Sequence, residues 1–243
     1  MRQFDAEYLE ATRQGMWESR EALADLALDS RERVLDVGCG TGELTAVLRA
    51  ECPGVVVGLD ADLALLSAVS QPIVAGDATR LPVRDDSFDL VVCQALLVNL
   101  PEPVAAVREF ARASSDLVAV VEPDNSAVSV ESTVGAEADL ASRAREGYLD
   151  GVETDAALGA DAADLFANAG IELVGMRRYD HVRETSPPYS DDAVEAARRK
   201  VTGEGLDADR EQLLAGDTTV AEYDALRAEW REMGKAVAEQ RAD

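Results

Sequence analysis

Short, nearly continuous apolar runs alternate with polar stretches of helical period through the first half of the chain. Arg33 to Asp36, Val55 to Leu59, Pro72 to Ala75, Phe88 to Cys93 and Leu117 to Val121 read as strands. Between them the pattern predicts helices from about Glu43 to Glu51, from an Asp62 cap to about Ser70, and from Asn99 and Pro101 to about Ala113. Strands without in-out alternation are those of a parallel sheet covered on both faces. Strand and helix in regular succession therefore predict an α/β fold with a doubly wound, mostly parallel, Rossmann-like sheet. Ile171 to His181 reads as a sixth strand.

The rest of the pattern is helical. Residues 4–14 and 20–28, broken near Gly15, form an N-terminal helical cap over 1–30, with Ser19 as an N-cap. After strand five a helical insertion occupies about 127–157, with a helix from about Glu131 to Gly147, and a further helix runs from about Asp161 to Ala169. The α/β domain thus spans 31–181. Beyond Ser186-Pro187-Pro188-Tyr189 a C-terminal helical extension, 182–243, contains helices at about Asp191 to Thr202, Asp207 to Leu214 and Val220 to Ala238. In the last, Val220, Tyr223, Leu226, Trp230, Met233 and Val237 form an amphipathic stripe, read as docking on the body of the protein or on a second subunit in a homodimer.

Charge narrows the function classes. The 243 residues hold 23 basic and 48 acidic side chains, a formal charge of −25, and lysine occurs only at Lys200 and Lys235. Acids spread along the whole chain, with arginine replacing lysine, read as a halophilic surface adapted to a salty cytoplasm rather than as one patch for a basic partner. Nucleic-acid binding, which rests on neutralising phosphates, is disfavoured. Cys39, Cys52 and Cys93 occur singly and the chain opens without a basic, apolar leader, so a reducing, cytoplasmic location is expected. No run approaches the roughly 18 apolar residues that suggest a membrane span.

The candidate chemistry lies at Val34 to Gly42, VLDVGCGTG. Gly38, Gly40 and Gly42 turn the chain sharply at the N-terminus of a helix, where free N–H groups and absent Cβ atoms let a ligand approach the backbone. Asp60, ending the second strand, has the acceptors to bind the two hydroxyls of an adenosine ribose. Asp77, in the loop after strand three, has an acceptor for an adenine amino group. A dinucleotide loop wants GxGxxG, but Glu43 stands where the third glycine would fall. Asp36 adds negative charge where a pyrophosphate wants none and an amino acid ammonium does. Together these favour S-adenosylmethionine over NAD.

VLDVGCGTG, GLDAD at 58–62, GDATRLP at 76–82 and DSFDLVVCQAL at 86–96 resemble successive motifs of the class I S-adenosylmethionine-dependent methyltransferases, in the small-molecule group that includes the quinone-biosynthesis enzymes. The resemblance implies that Asp36, Gly38, Cys39, Gly40 and Gly42 hold the methionine part of the cofactor and Asp60 the ribose. It places Ala61 beside the adenosine, Asp77 and Ala78 at the adenine, and Gln94, with Leu96 close by, near the sulfonium. It also implies a seventh, antiparallel strand, for which no segment is evident before the helical tail. Where the acceptor needs a base, Glu122, Tyr148 and His181 are the candidates. A single histidine makes no all-histidine metal site, and no metal is expected. The expected activity is methyl transfer to a small organic acceptor. Its alternatives are methylation of protein or RNA, or cofactor binding without catalysis, and a dinucleotide oxidoreductase is disfavoured by Asp36 and Glu43.

Overall fold

The computed structural model describes residues 16–242, which fall into two compact units: 16–123 with 158–181, and 124–157 with 182–242. The helix expected over 4–14 lies outside the described residues. Among the described residues there are five strands, β1 (Arg33–Val37), β2 (Val55–Asp60), β3 (Ile73–Ala75), β4 (Phe88–Gln94) and β5 (Ser114–Val121). The α-helices in chain order are α1 (Glu43–Glu51), α2 (Leu63–Leu66), α3 (Pro103–Ala113), α4 (Glu137–Gly151), α5 (Ala162–Ala169), α6 (Asp191–Thr202), α7 (Glu204–Ala208), α8 (Arg210–Ala215) and α9 (Val220–Ala242).

In the first unit all strand pairs are parallel, in the order β3-β2-β1-β4-β5. The chain builds outward from β1 to β2 and β3, then crosses back to β4 on the other side of β1. That reversal opens a crevice beyond the carboxyl ends of β1 and β4, the place where open α/β sheets bind ligands.

The unbroken apolar runs are explained by the two faces of this sheet. Leu35, Val37, Val91 and Cys93 enter one core with Phe110 of α3 and Phe166 of α5. Their neighbours Val34, Leu90 and Val92 enter the opposite core with Leu44 and Leu48 of α1, and with Trp17 and Leu23. Helix α3 turns Ala106, Val107, Phe110 and Ala113 inward, all fully buried. Truncating a phenylalanine buried like Phe110 costs about 3–5 kcal/mol. The stretch expected as a helix over 20–28 is instead a pair of 3-10 turns, Glu21–Leu26 and Leu28–Ser30, separated at Ala27 with φ +50°. Ser19 Oγ accepts the Glu21 N–H at 3.3 Å, but Arg20 and not Ser19 stands at the N-cap, which has no side-chain cap bond.

The expected sixth strand does not form: residues 171–181 have no regular structure, and β5 ends the sheet. Only Ile171 packs on the core, while Leu173, Val174 and Met176 face solvent. Side-chain contacts lead the segment elsewhere, since Arg177 pairs with Asp25 at 2.6 Å and the Tyr179 hydroxyl donates to the Glu21 carbonyl at 3.1 Å. No seventh strand occurs among the described residues.

The second unit is helical. Leu140 of α4, Ala197 of α6, Leu206 of α7, Leu213 of α8 and Tyr223, Leu226, Met233 and Val237 of α9 form its core. The stripe of α9 is thus largely covered within its own unit. Asp124–Ala157 joins the C-terminal helices in this unit. Gly234 brings α9 close to α6, because a Cβ there would stand 2.5 Å from the Lys200 backbone. Lys200 pairs with Glu137, a buried acid, and Asp207 accepts from Arg227 at 2.6 Å and the Tyr223 hydroxyl at 2.8 Å. No helix among the described residues is long and apolar enough to cross a membrane.

Candidate functional site

The loop leaving β1 is built from left-handed backbone. Gly38, Gly40 and Gly42 have φ of +70°, +56° and +92°, a region that L side chains enter at a cost of about 1–2 kcal/mol each. The turn is tied to β2, because the Gly38 and Cys39 N–H groups both donate to the Leu59 carbonyl, at 2.7 and 3.0 Å. Gly38 also lies under Leu96, where a Cβ would come within 2.8 Å of Leu96 Cδ1.

Asp60, at the end of β2, joins the same turn. Its Oδ2 accepts the Gly40 N–H at 2.8 Å and its Oδ1 accepts the Asp62 N–H at 2.9 Å. Asp36 is buried within β1 and accepts the Thr45 hydroxyl of α1 at 2.6 Å. Burial, and then the nearby negative charge of Asp36 and Asp60, pushes the Cys39 thiol up to about 12. Cys39 is therefore a packed thiol and not a nucleophile.

A cleft of about 290 Å³ opens beyond these strand ends. One side is Gly38, Leu59, Asp60 and Ala61; another is Gly76, Asp77, Ala78 and Thr79; Leu96, Leu100, Pro101 and Glu102 close it. Asp77 Oδ1 accepts both the N–H and the hydroxyl of Thr79 at 2.8 Å, and these bonds hold its carboxyl below the usual range, ionised at neutral pH. The lining thus combines three acidic side chains, Asp60, Asp77 and Glu102, with an apolar slot of Leu59, Ala78 and Leu100.

Of the residues expected at a cofactor, Gly38, Asp60, Ala61, Asp77 and Ala78 line this cleft. Asp36, Cys39, Gly40 and Gly42 lie behind it and shape the loop. Gln94 is buried, with Oε1 accepting the Trp17 indole N–H at 3.2 Å and Nε2 against Met16 Sδ, and it is not part of the lining. Leu100, Pro101 and Glu102 also line the cleft, and nothing in their sequence pattern marks them as ligand contacts. Pro101 announces α3 in the sequence, and the link from helix start to cleft wall comes only with the sheet.

The three candidate bases fall in different surroundings. The carboxyl group of Glu122, just after β5, is enclosed by the loop after β4: Oε1 accepts the Leu96 and Leu97 N–H groups at 3.1 and 3.0 Å, and Oε2 accepts that of Val98 at 3.2 Å. The Cys93 thiol reaches Oε1 at 3.5 Å. Burial pushes the Glu122 carboxyl up to about 7 against the opposing pull of these donors. Glu122 is not among the lining residues. Tyr148 lies in the second unit, half-buried against the core around Leu140 and Tyr223. His181 is exposed in the irregular segment that replaces the expected sixth strand. No group of three or more metal-ligating side chains occurs among the described residues.

Residues 35–116 match the family model described as a methyltransferase domain. A demethylmenaquinone methyltransferase of Lactiplantibacillus plantarum is 35% identical over 106 residues, covering 38% of this chain and 45% of that protein. Another of that name, from a Mycobacterium species, is 43% identical over 96 residues, covering 38% and 41%. The chain therefore matches less than half the length of these curated relatives. Among solved structures, an S-adenosylmethionine-dependent methyltransferase from Aquifex aeolicus superposes with a TM-score of 0.51 at 16% identity, covering 70% of this chain and 90% of that one. This likeness is one of fold, and it agrees with the doubly wound parallel sheet expected from the strand pattern.

Proposed function

We propose that this protein binds S-adenosylmethionine in the cleft beyond β1, β2 and β3 and transfers its methyl group to a small organic acceptor. One observation carries the reading: the Asp60 carboxylate stands in the cleft wall, tied to a left-handed glycine loop that lacks the third glycine of a dinucleotide site. Each Asp60 oxygen holds one backbone N–H and keeps acceptor capacity for a ribose hydroxyl. Leu59, Ala78 and Leu100 offer apolar surface to an adenine, and Asp77 an acceptor at its edge. The loop at Gly38 to Gly40 and the negative charge of Asp36 suit the methionine moiety. S-adenosylmethionine, when bound, supplies a methyl group already activated on a sulfonium.

What remains for the protein is to orient the acceptor and exclude water. Leu96, over Gly38, is the lining residue placed to do so. The names of the curated relatives support a small organic acceptor, and the acidic, lysine-poor chain supports a salty cytoplasm as its setting. Calorimetric titration with S-adenosylhomocysteine in molar potassium chloride, with NADH as the comparison ligand, tests the reading. Micromolar affinity for the first and none for the second is expected. A folded protein that binds NADH, or binds neither, would overturn it.

A further inference from the structure

The loop between β4 and α3 forms a wall of the cleft through Leu96, Leu100, Pro101 and Glu102, yet its first turn is not held by the sheet alone. It begins at Ala95, whose φ of +48° is left-handed for a residue with a Cβ. Such backbone persists only where its surroundings fix it. The Ala95 N–H donates to Val121 O at 2.8 Å and Asn99 Nδ2 donates to Ala95 O at 2.8 Å. The next three N–H groups, of Leu96, Leu97 and Val98, then converge on one carboxylate, that of Glu122. These are free donors at the start of the 3-10 turn Leu97–Asn99, and a charged acceptor makes stronger bonds to them than a neutral one.

We propose that Glu122 is a positioning residue for cofactor binding: its carboxylate, by gathering the Leu96, Leu97 and Val98 N–H groups, seats Leu96 against Gly38 and so sets the cleft wall beside the glycine loop. The inference rests on the reading of the cleft as an S-adenosylmethionine site. It gives the buried acid a task other than taking a proton from the acceptor, and the geometry favours this, because three backbone donors surround the carboxylate and none of its atoms belongs to the lining. The other titratable group in contact with it is the Cys93 thiol of β4, which is acted on in turn by the charges of Glu122 and of Asp36 of β1. Neither Cys93 nor Asp36 is a cation that would neutralise the carboxylate in place of the N–H groups.

The test compares wild type, Glu122→Gln and Glu122→Ala in molar potassium chloride, at a temperature where thermal melts show each to be folded. The glutamine keeps an acceptor for Leu96 and Leu97 and faces Val98 with a donor. The alanine leaves all three donors unmet. S-adenosylhomocysteine affinity should fall at least tenfold in Glu122→Ala and recover in part in Glu122→Gln. Hydrogen exchange should show the Leu96, Leu97 and Val98 amides protected in wild type, least protected in the alanine variant and intermediate in the glutamine variant. Wild-type affinity in a folded Glu122→Ala, or loss as complete in the glutamine variant as in the alanine, would overturn the proposal. If Glu122→Ala does not fold, wild type and Glu122→Gln decide it, and amides at 96–98 that exchange as fast as open loops in wild type would overturn it. Wild type that binds no S-adenosylhomocysteine would sink the cofactor reading and this use of the clamp together, whereas binding that ignores the glutamine substitution would sink the clamp alone.

Discussion

Asp60 Oδ2 accepts the Gly40 N–H at 2.8 Å, so the last residue of β2 is fastened to the loop that leaves β1, twenty positions earlier. The bond ties the proposed ribose acceptor to the glycine turn beside the cleft. Removing either partner loosens both.

Asp60→Ala should therefore weaken S-adenosylhomocysteine binding by roughly 10- to 100-fold, the range expected when a charged acceptor of about 1.5–3 kcal/mol is lost. Asp60→Asn keeps one carbonyl acceptor and should fall between wild type and alanine. Calorimetry on the three proteins in molar salt checks this. Equal affinity in wild type and Asp60→Ala would remove the ribose assignment.

Glu122 links stability to pH. Its carboxyl is raised in the folded protein to about 7 from an ordinary 4.5, mainly by burial. Such a group favours the folded state fully below about 4.5 and loses that contribution as pH rises through about 7, because over this interval the folded chain holds a proton that the unfolded chain has released. The full effect is of order 3 kcal/mol. Glu122→Gln cannot titrate, so its stability relative to wild type should improve between about pH 5 and about pH 8. Urea unfolding of both proteins at the two pH values measures the difference, and parallel changes would show that Glu122 does not titrate in this interval.

The strands and the glycine loop were legible because their causes are local. Val34, Leu35 and Val37 show continuous burial within five residues, and three glycines in VLDVGCGTG leave few backbone options. Segment 171–181 misled because an apolar run states that a strand is feasible, while pairing depends on a neighbour far along the chain. Here Arg177 and Tyr179 contact Asp25 and Glu21 instead. Gln94 shows the same limit, since its partner Trp17 is 77 positions away. Glu122 was visible as an acid at the functional rim, but only the fold reveals that it faces three backbone N–H groups.

Arg112 offers a test of how the chain from Leu81 to Asp85 is held. Its guanidinium donates to the carbonyls of Leu81 at 3.1 Å and Val83 at 3.0 Å, and also reaches Asp85 at 2.7 Å and Glu109 at 2.8 Å. It pins the chain after GDATRLP to α3. Arg112→Ala should destabilise the fold by about 1–3 kcal/mol, mostly through the carbonyls left without their donor, since the exposed Asp85 contact adds little. Arg112→Lys should recover little of this, because an ammonium has no planar fork to span four acceptors. Chemical unfolding of the two variants checks both statements, and full recovery by lysine would show that charge alone matters there.

The second unit makes its own demand, at Gly234. A Cβ on this residue of α9 would stand 2.5 Å from the Lys200 carbonyl carbon and 2.6 Å from the Val201 nitrogen, both backbone atoms of α6. Neither can move aside as a flexible side chain would, so the two helices must separate. Alanine has the higher helix propensity, by about 1 kcal/mol, and a variant at an open site would gain stability. Overpacking of this kind costs about 1–3 kcal/mol, which exceeds that gain. Gly234→Ala should therefore be less stable than wild type. Gly205→Ala makes a matched control within the same unit, because a Cβ there meets nothing within 4 Å and Gly205 sits in the short helix α7. That substitution should be neutral or stabilising. Urea unfolding of the pair separates the two effects: a Gly234 variant as stable as the Gly205 variant would mean that α6 and α9 do not cross as closely as the backbone distances require.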